Sequence, residues 1–135
     1  MNDALSFATN LCAAGVARGT PILLASLGEL LSERSGVLNL GVEGLMLAGA
    51  MAGVGAASAS GSAATGLCVA MLAGTALALV HAFVCVGLRA DPIVSGLALV
   101  FLGTGLSSVL GAPLVSLGSS VPRFEDVPIP LLSGL

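Results

Sequence analysis

An all-α, polytopic transmembrane helical bundle is the fold class this sequence predicts, and three observations predict it. Mean hydropathy is +1.10, apolar residues make up 56% of the chain, and only 8% are Asp, Glu, Lys or Arg. Residues 44–88 and 92–122 contain none of those four charged types. Glycine is abundant, at 19 of 135 residues, and it concentrates with alanine inside the apolar runs. A hydrocarbon core needs roughly 20 apolar residues per helix, so the two uncharged runs and the N-terminal stretch provide about four spans. A water-soluble domain of this length would carry charge at about a quarter of its positions to cover its surface.

The spans follow in order. The first covers 4–31 and is interrupted by Arg18-Gly19-Thr20-Pro21, where Pro21 lacks an N–H and clashes with the preceding turn, so a kink or short break is expected. Ser32-Glu33-Arg34-Ser35-Gly36 makes a polar turn at one membrane face. The second span runs over 37–57, and Ser58-Ala59-Ser60-Gly61-Ser62 forms a hairpin of small residues. The third covers 63–88. Arg89-Ala90-Asp91-Pro92 then turns the chain, with Pro92 at a helix start and Asp91 as its cap. The fourth covers 93–110, and the tail 111–135, which holds Pro113, Pro122, Pro128 and Pro130, reads as an irregular surface connection. Four passes put the Arg34 and Arg89 turns on one side. Short-loop arginines favour the cytoplasm, so Glu33, Arg34, Arg89 and Asp91 are expected there, with the N-terminus outside.

Composition also excludes several classes. Met1-Asn2-Asp3 lacks the basic segment of a signal peptide and the apolar stretch after it is too long for one, so no cleavage is expected. The net charge of −3, with no basic run, gives nucleic-acid binding no support. Cys12, Cys68 and Cys85 lie in apolar stretches without CxxC spacing and read as small buried hydrophobes, not as a disulfide or metal site. His81, in a helix of Ala, Leu and Val, reads as a packed or interfacial histidine and not as a metal or proton site. No GxSxG, HExxH or P-loop pattern is present, so neither catalytic nor metal-ligating residues are assigned, and no cofactor is called for.

Charge is scarce, so its placement is informative. Glu29, Glu33, Arg34 and Glu43 are four of the eleven charged residues and fall within fifteen positions. Ionisable groups in or beside a span mark function or assembly. On a second helix starting at Val37, Asn39 and Glu43 lie one turn apart on one face. They either line a polar pathway for a hydroxyl-rich solute or act as glue between helices. Glu29, Glu33 and Arg34 read as a solvated helix end, or as a contact for a cytoplasmic partner. Arg18 either pairs with an acid in an assembled protein or is moved toward water by the break after it. Gly41, Gly44, Gly49 and Gly53 in the second span, and Gly15 and Gly19 in the first, allow close helix–helix approach.

The run Thr20-Pro21-Ile22-Leu23-Leu24-Ala25-Ser26-Leu27-Gly28-Glu29, continuing as LLSERSGVLNLGVEGLMLAGA, resembles the permease subunits of bacterial ABC importers. It is most similar to their nucleoside and simple-sugar branch, related to ribose and branched-chain amino-acid permeases. Leu88-Arg89-Ala90-Asp91-Pro92-Ile93-Val94-Ser95-Gly96-Leu97-Ala98-Leu99 and Val127-Pro128-Ile129-Pro130-Leu131-Leu132 carry the same resemblance. Such permeases are about twice as long or more, so the chain is expected to correspond to their N-terminal portion. The resemblance implies an inner-membrane transport subunit that is not itself an enzyme. Its partners would be a second permease subunit, a cytoplasmic ATPase and an extracytoplasmic binding lipoprotein. It also implies a glycine-rich second helix near the subunit interface, a kinked first helix beside it, and a tail facing the binding protein. Two competing classes are a non-transporting membrane assembly protein or inactive truncated permease, and an intramembrane enzyme. The latter would need a catalytic pair within the spans, such as two Asp or a Ser with a His.

Overall fold

A computed structural model describes residues 2–116 and 120–124. Four helices make up most of it: α1 (Asn2–Arg34), α2 (Val42–Ser60), α3 (Ala63–Ala82), extended by a π-helical segment at Phe83–Gly87, and α4 (Pro92–Val115). All four are long and apolar enough to cross a membrane.

The helix ends follow local chemistry. α1 closes with Gly36 in the left-handed region (φ 88), the Gly36 N–H bonding to Glu33 O and the Val37 N–H to Ser32 O, at 2.9 and 3.1 Å. Those two bonds satisfy carbonyls that a helix C-terminus otherwise leaves open. Gly61 (φ 69) ends α2 in the same region, and Ser62 caps α3 by accepting the Thr65 N–H. Asp91 caps α4 as the Asp-Pro pair predicts: its Oδ1 accepts from the Ile93 and Val94 N–H groups at 2.8 and 3.3 Å, with Pro92 in the first turn.

Three boundaries differ from the sequence expectation. α1 runs through Pro21 without a break. α2 begins at Val42, because residues 37–41 form a loop in which the Val37, Asn39 and Gly41 N–H groups are taken by non-helical acceptors. α4 continues through Gly111 and Pro113 to Val115, so the expected irregular tail starts later than 111. Residues 117–119 and 125–135 of that tail lie outside the described residues.

α2 is central, with α3 and α4 packed against it. The interior is made of backbone and small side chains: Ala48, Ala57, Leu99 and His81 are buried with glycines, and among the described residues no large side chain is fully enclosed. A Cβ built on Gly53 would come within 2.9 Å of Ala70 Cβ, and one on Gly66 within 2.7 Å of Ala57 Cβ. On the other flank, a Cβ on Gly103 would run into the Gly44 backbone, and one on Gly44 into the Leu99 carbonyl. In lipid, apolar burial gives helices little reason to associate, and close approach of backbones supplies the attraction instead. Phe7, Leu23, Met71, Leu72, Phe101 and Val109 accordingly point outward.

α1 stands apart. Apart from its first residues, every α1 position is exposed except Ala25, Glu29 and Ser32, which are half-buried. Their spacing places them on one stripe at the C-terminal end of the helix.

Candidate functional site

The polar residues converge where the C-terminal end of α1, the 35–41 loop and the first turns of α2 and α4 meet. Ser32 Oγ donates to Val37 O at 2.7 Å. Two residues on, the Asn39 N–H donates to Glu29 Oε1 at 2.8 Å, while Asn39 Oδ1 accepts the Gly41 N–H at 3.0 Å. Short Asn side chains favour such local bonds, and here the bond turns the chain into α2. Glu29 Oε2 is enclosed without a partner among the described residues. The backbone of Leu40 and Gly41 lies directly over Gly96 of α4, where a Cβ would come within 2.9 Å of Leu40 N.

This geometry corrects two sequence readings. Asn39 is not on α2, so Asn39 and Glu43 do not share a helix face; Asn39 is loop, and Glu43 is exposed in the first turn of α2. Glu29 is not part of a solvated helix end, because its carboxylate holds the loop; only Glu33 and Arg34 are exposed there. Glu43 is well placed electrostatically, since an acid in the first turn faces the positive end of the helix dipole.

The glycines divide into two groups. Gly41, Gly44, Gly49 and Gly53 face α4 or α3 of the same chain at contact distance. These close approaches of the glycine-rich second helix are made within the chain. Gly15 and Gly19 face open space, with nothing within 4 Å of a built Cβ.

On the far side of α4, His81 is buried and its Nδ1 lies 2.9 Å from Ser95 Oγ. Cys85 Sγ is 3.7 Å from both ring nitrogens, so His81 has a thiol one turn away that the sequence reading passed over. Sequence reading also missed Ser95, although His81 was correctly placed as a packed residue. A Ser–His contact inside the spans is what an intramembrane enzyme would need. Here the ring has a thiol, not an acid, as its other neighbour, and among the described residues no third group orients it as a base. The pair ties α3 to α4. Both residues line a cleft of about 420 Å³, together with Asp91, Val84, Val94, Leu99 and others. Cys12 and Cys68 are exposed on outward faces and Cys85 is half-buried, so the expectation of three buried thiols fails where helices lack an inner face. Among the described residues, no group of three His, Cys, Asp or Glu side chains could hold a metal ion.

Arg89, in the turn before α4, adopts φ 54, and the Ala90 N–H reaches back to Val84 O at 3.1 Å. A left-handed conformation at a residue with a Cβ costs roughly 1–2 kcal/mol. The reach of the π-helical segment and the Asp91 cap hold it there.

Four membrane-length helices, three of them joined backbone to backbone, define an integral membrane protein. The match to known families makes this specific. Over residues 11–127 the chain belongs to the family described as branched-chain amino acid transport system / permease component. It is 44% identical over 128 residues to a protein of Haloferax volcanii named "Putative glucose ABC transporter permease protein", a match covering 95% of this chain and 38% of that one. It is 41% identical over 91 residues to a guanosine ABC transporter permease protein of Bacillus subtilis, covering 63% and 28%. A nucleoside ABC transporter permease protein of Lactococcus lactis is 37% identical over 97 residues, covering 67% and 31%. The chain thus spans at most 38% of the length of these relatives. No solved structure matches it.

Proposed function

We propose that the chain forms part of the transmembrane pathway of an ATP-binding-cassette importer for a simple sugar or a nucleoside. The observation that carries this reading is the similarity over 95% of the chain to a permease protein named for glucose transport, with guanosine and nucleoside permeases also similar. In this reading the chain moves solute and does not hydrolyse nucleotide. ATP hydrolysis belongs to a separate cytoplasmic subunit, a second permease subunit completes the pathway, and a binding lipoprotein delivers solute from outside. The turns carrying Glu33, Arg34, Arg89 and Asp91 face the cytoplasm. Glu43, exposed on α2, is the acid available to a neighbouring helix or to the solute, while Asn39 serves the loop.

The test is purification of the tagged protein from native membranes in mild detergent. An ATPase subunit should co-purify, and labelled glucose or a labelled nucleoside should enter cells only when the chain is present. Repeated recovery without any ATPase would reject the importer reading. Glu43→Gln separates its two roles: assembly kept with uptake lost makes it a pathway residue, whereas reduced assembly with unaltered solute preference makes it a contact between helices.

A further inference from the structure

The length of α2 sets the membrane register. Val42–Ser60 has 19 residues, about 28 Å at 1.5 Å per residue, which only just crosses a core of about 30 Å. Val42 therefore lies at one interface. Asn39 is three residues before it and bonds to Glu29, so Glu29 lies at that interface too. α1 runs unbroken through Pro21, which puts Arg18 eleven residues further in, at a depth of about 16 Å. That is the middle of the bilayer. The break that would have moved Arg18 toward water is absent, and the interface is too far for the side chain to snorkel.

Arg18 is exposed, and among the described residues nothing bonds to its guanidinium. Its surroundings are equally incomplete. Pro21 has no N–H to give the Ala17 carbonyl, so that acceptor loses its place in the helix ladder; the Thr20 hydroxyl bonds instead to Val16 O at 2.7 Å. Gly15 and Gly19 adjoin Arg18 on the helix surface with open space above them. A bare cation at mid-bilayer is expensive, and such residues pair within the bundle.

We propose that this face of α1 docks a transmembrane helix from outside these 135 residues, and that the helix carries an Asp or Glu at mid-bilayer depth to pair with Arg18. Gly15 and Gly19 let the two backbones approach closely enough for the guanidinium fork to grip the carboxylate. Charge placement argues against a second copy of this chain as the occupant. In a copy of the same orientation, the described acids Glu29, Glu33, Glu43 and Asp91 lie at the Glu29 end, half a membrane from Arg18, and position 3 lies about as far the other way. A lipid phosphate does not reach the midplane.

The experiment places a photo-crosslinking amino acid at Leu11 or Ile22, exposed positions on the Arg18 side of α1, in the full chain in its native membranes. Crosslinked peptides are then identified by mass spectrometry. The expected product is a transmembrane segment with an Asp or Glu at its centre. Arg18→Leu should reduce its yield by roughly an order of magnitude, and Arg18→Lys by less. Because leucine makes α1 easier to insert, the loss cannot come from failed insertion. Exchanging the charges, with Arg18→Glu and Arg at the partner's acid, should restore the crosslink. Crosslinks only to lipid, a partner segment without an acid, or a yield unchanged in Arg18→Leu would each overturn the proposal. The readout is membrane contact and not transport, so it succeeds or fails independently of the function proposed above.

Discussion

Replacing Gly103 with alanine tests the backbone-to-backbone contact between α2 and α4 directly. A Cβ at this position would lie 2.6 Å from the Gly44 carbonyl carbon and against the Gly44 carbonyl oxygen. Both neighbours are main chain, so no flexible side chain can yield and the helices must separate. Overfilling a tight contact costs about 1–3 kcal/mol. Alanine also returns about 1 kcal/mol of helix propensity relative to glycine, so the net effect of Gly103→Ala alone is small to moderate. Gly105→Ala is the control, because it lies in the same helix with nothing within 4 Å of its built Cβ. The propensity gain is common to both substitutions and cancels between them. The difference between the two variants is therefore the clash itself, about 1–3 kcal/mol, or a factor of roughly 5 to 150 in the folding equilibrium. Unfolding of the purified protein in mixed detergent micelles, followed by far-UV circular dichroism, measures it. Equal stability of the two variants, or a more stable Gly103→Ala, would refute the packing described for α2 and α4.

Three further outcomes follow from local geometry. Glu29→Ala removes the acceptor for the Asn39 N–H, a charge-assisted bond worth about 1.5–3 kcal/mol, so hydrogen exchange at Asn39 should quicken at least about tenfold; Glu29→Gln, which keeps an oxygen acceptor, should change it less, and equal exchange in all three proteins would contradict the clasp. Arg89→Gly should raise the thermal midpoint in detergent by relieving about 1 kcal/mol of left-handed strain, and a lowered midpoint would show that the side chain compensates for its backbone. Asp91→Ala should cost about 1 kcal/mol through loss of the α4 cap, whereas Asp91→Ser should retain most of it; identical thermal midpoints would mean that Pro92 alone fixes the helix start.

Much of the architecture was legible in the sequence because lipid imposes simple rules. Uncharged runs long enough to span the core and an Asp-Pro start gave four helices and a capped α4. One group of failures comes from bonding between segments apart in sequence. Val37-Leu38-Asn39-Leu40 is apolar enough to pass for helix, but the left-handed Gly36, the Ser32–Val37 bonds and the contact with Glu29, ten residues earlier, make it a loop. That same bond removed Glu29 from the solvated end and separated Asn39 from Glu43. Pro21 reads as a breaker, yet the helix passes through it. The Cys85 thiol at helical spacing from His81 was available in the sequence and was overlooked, whereas Ser95, across a turn, was not signalled. The glycines of α2 lie in close contact with α3 and α4, and periodicity alone could not say which neighbour each would meet.

The Gly44–Gly103 crossing has a mechanical consequence. Where two main chains touch without side chains between them, there is little compliant layer between α4 and α2. Gly36, by contrast, has empty space around it and a backbone conformation that few other residues tolerate. α2, α3 and α4 thus form one closely packed unit, which α1 joins through the short strap that begins at Gly36.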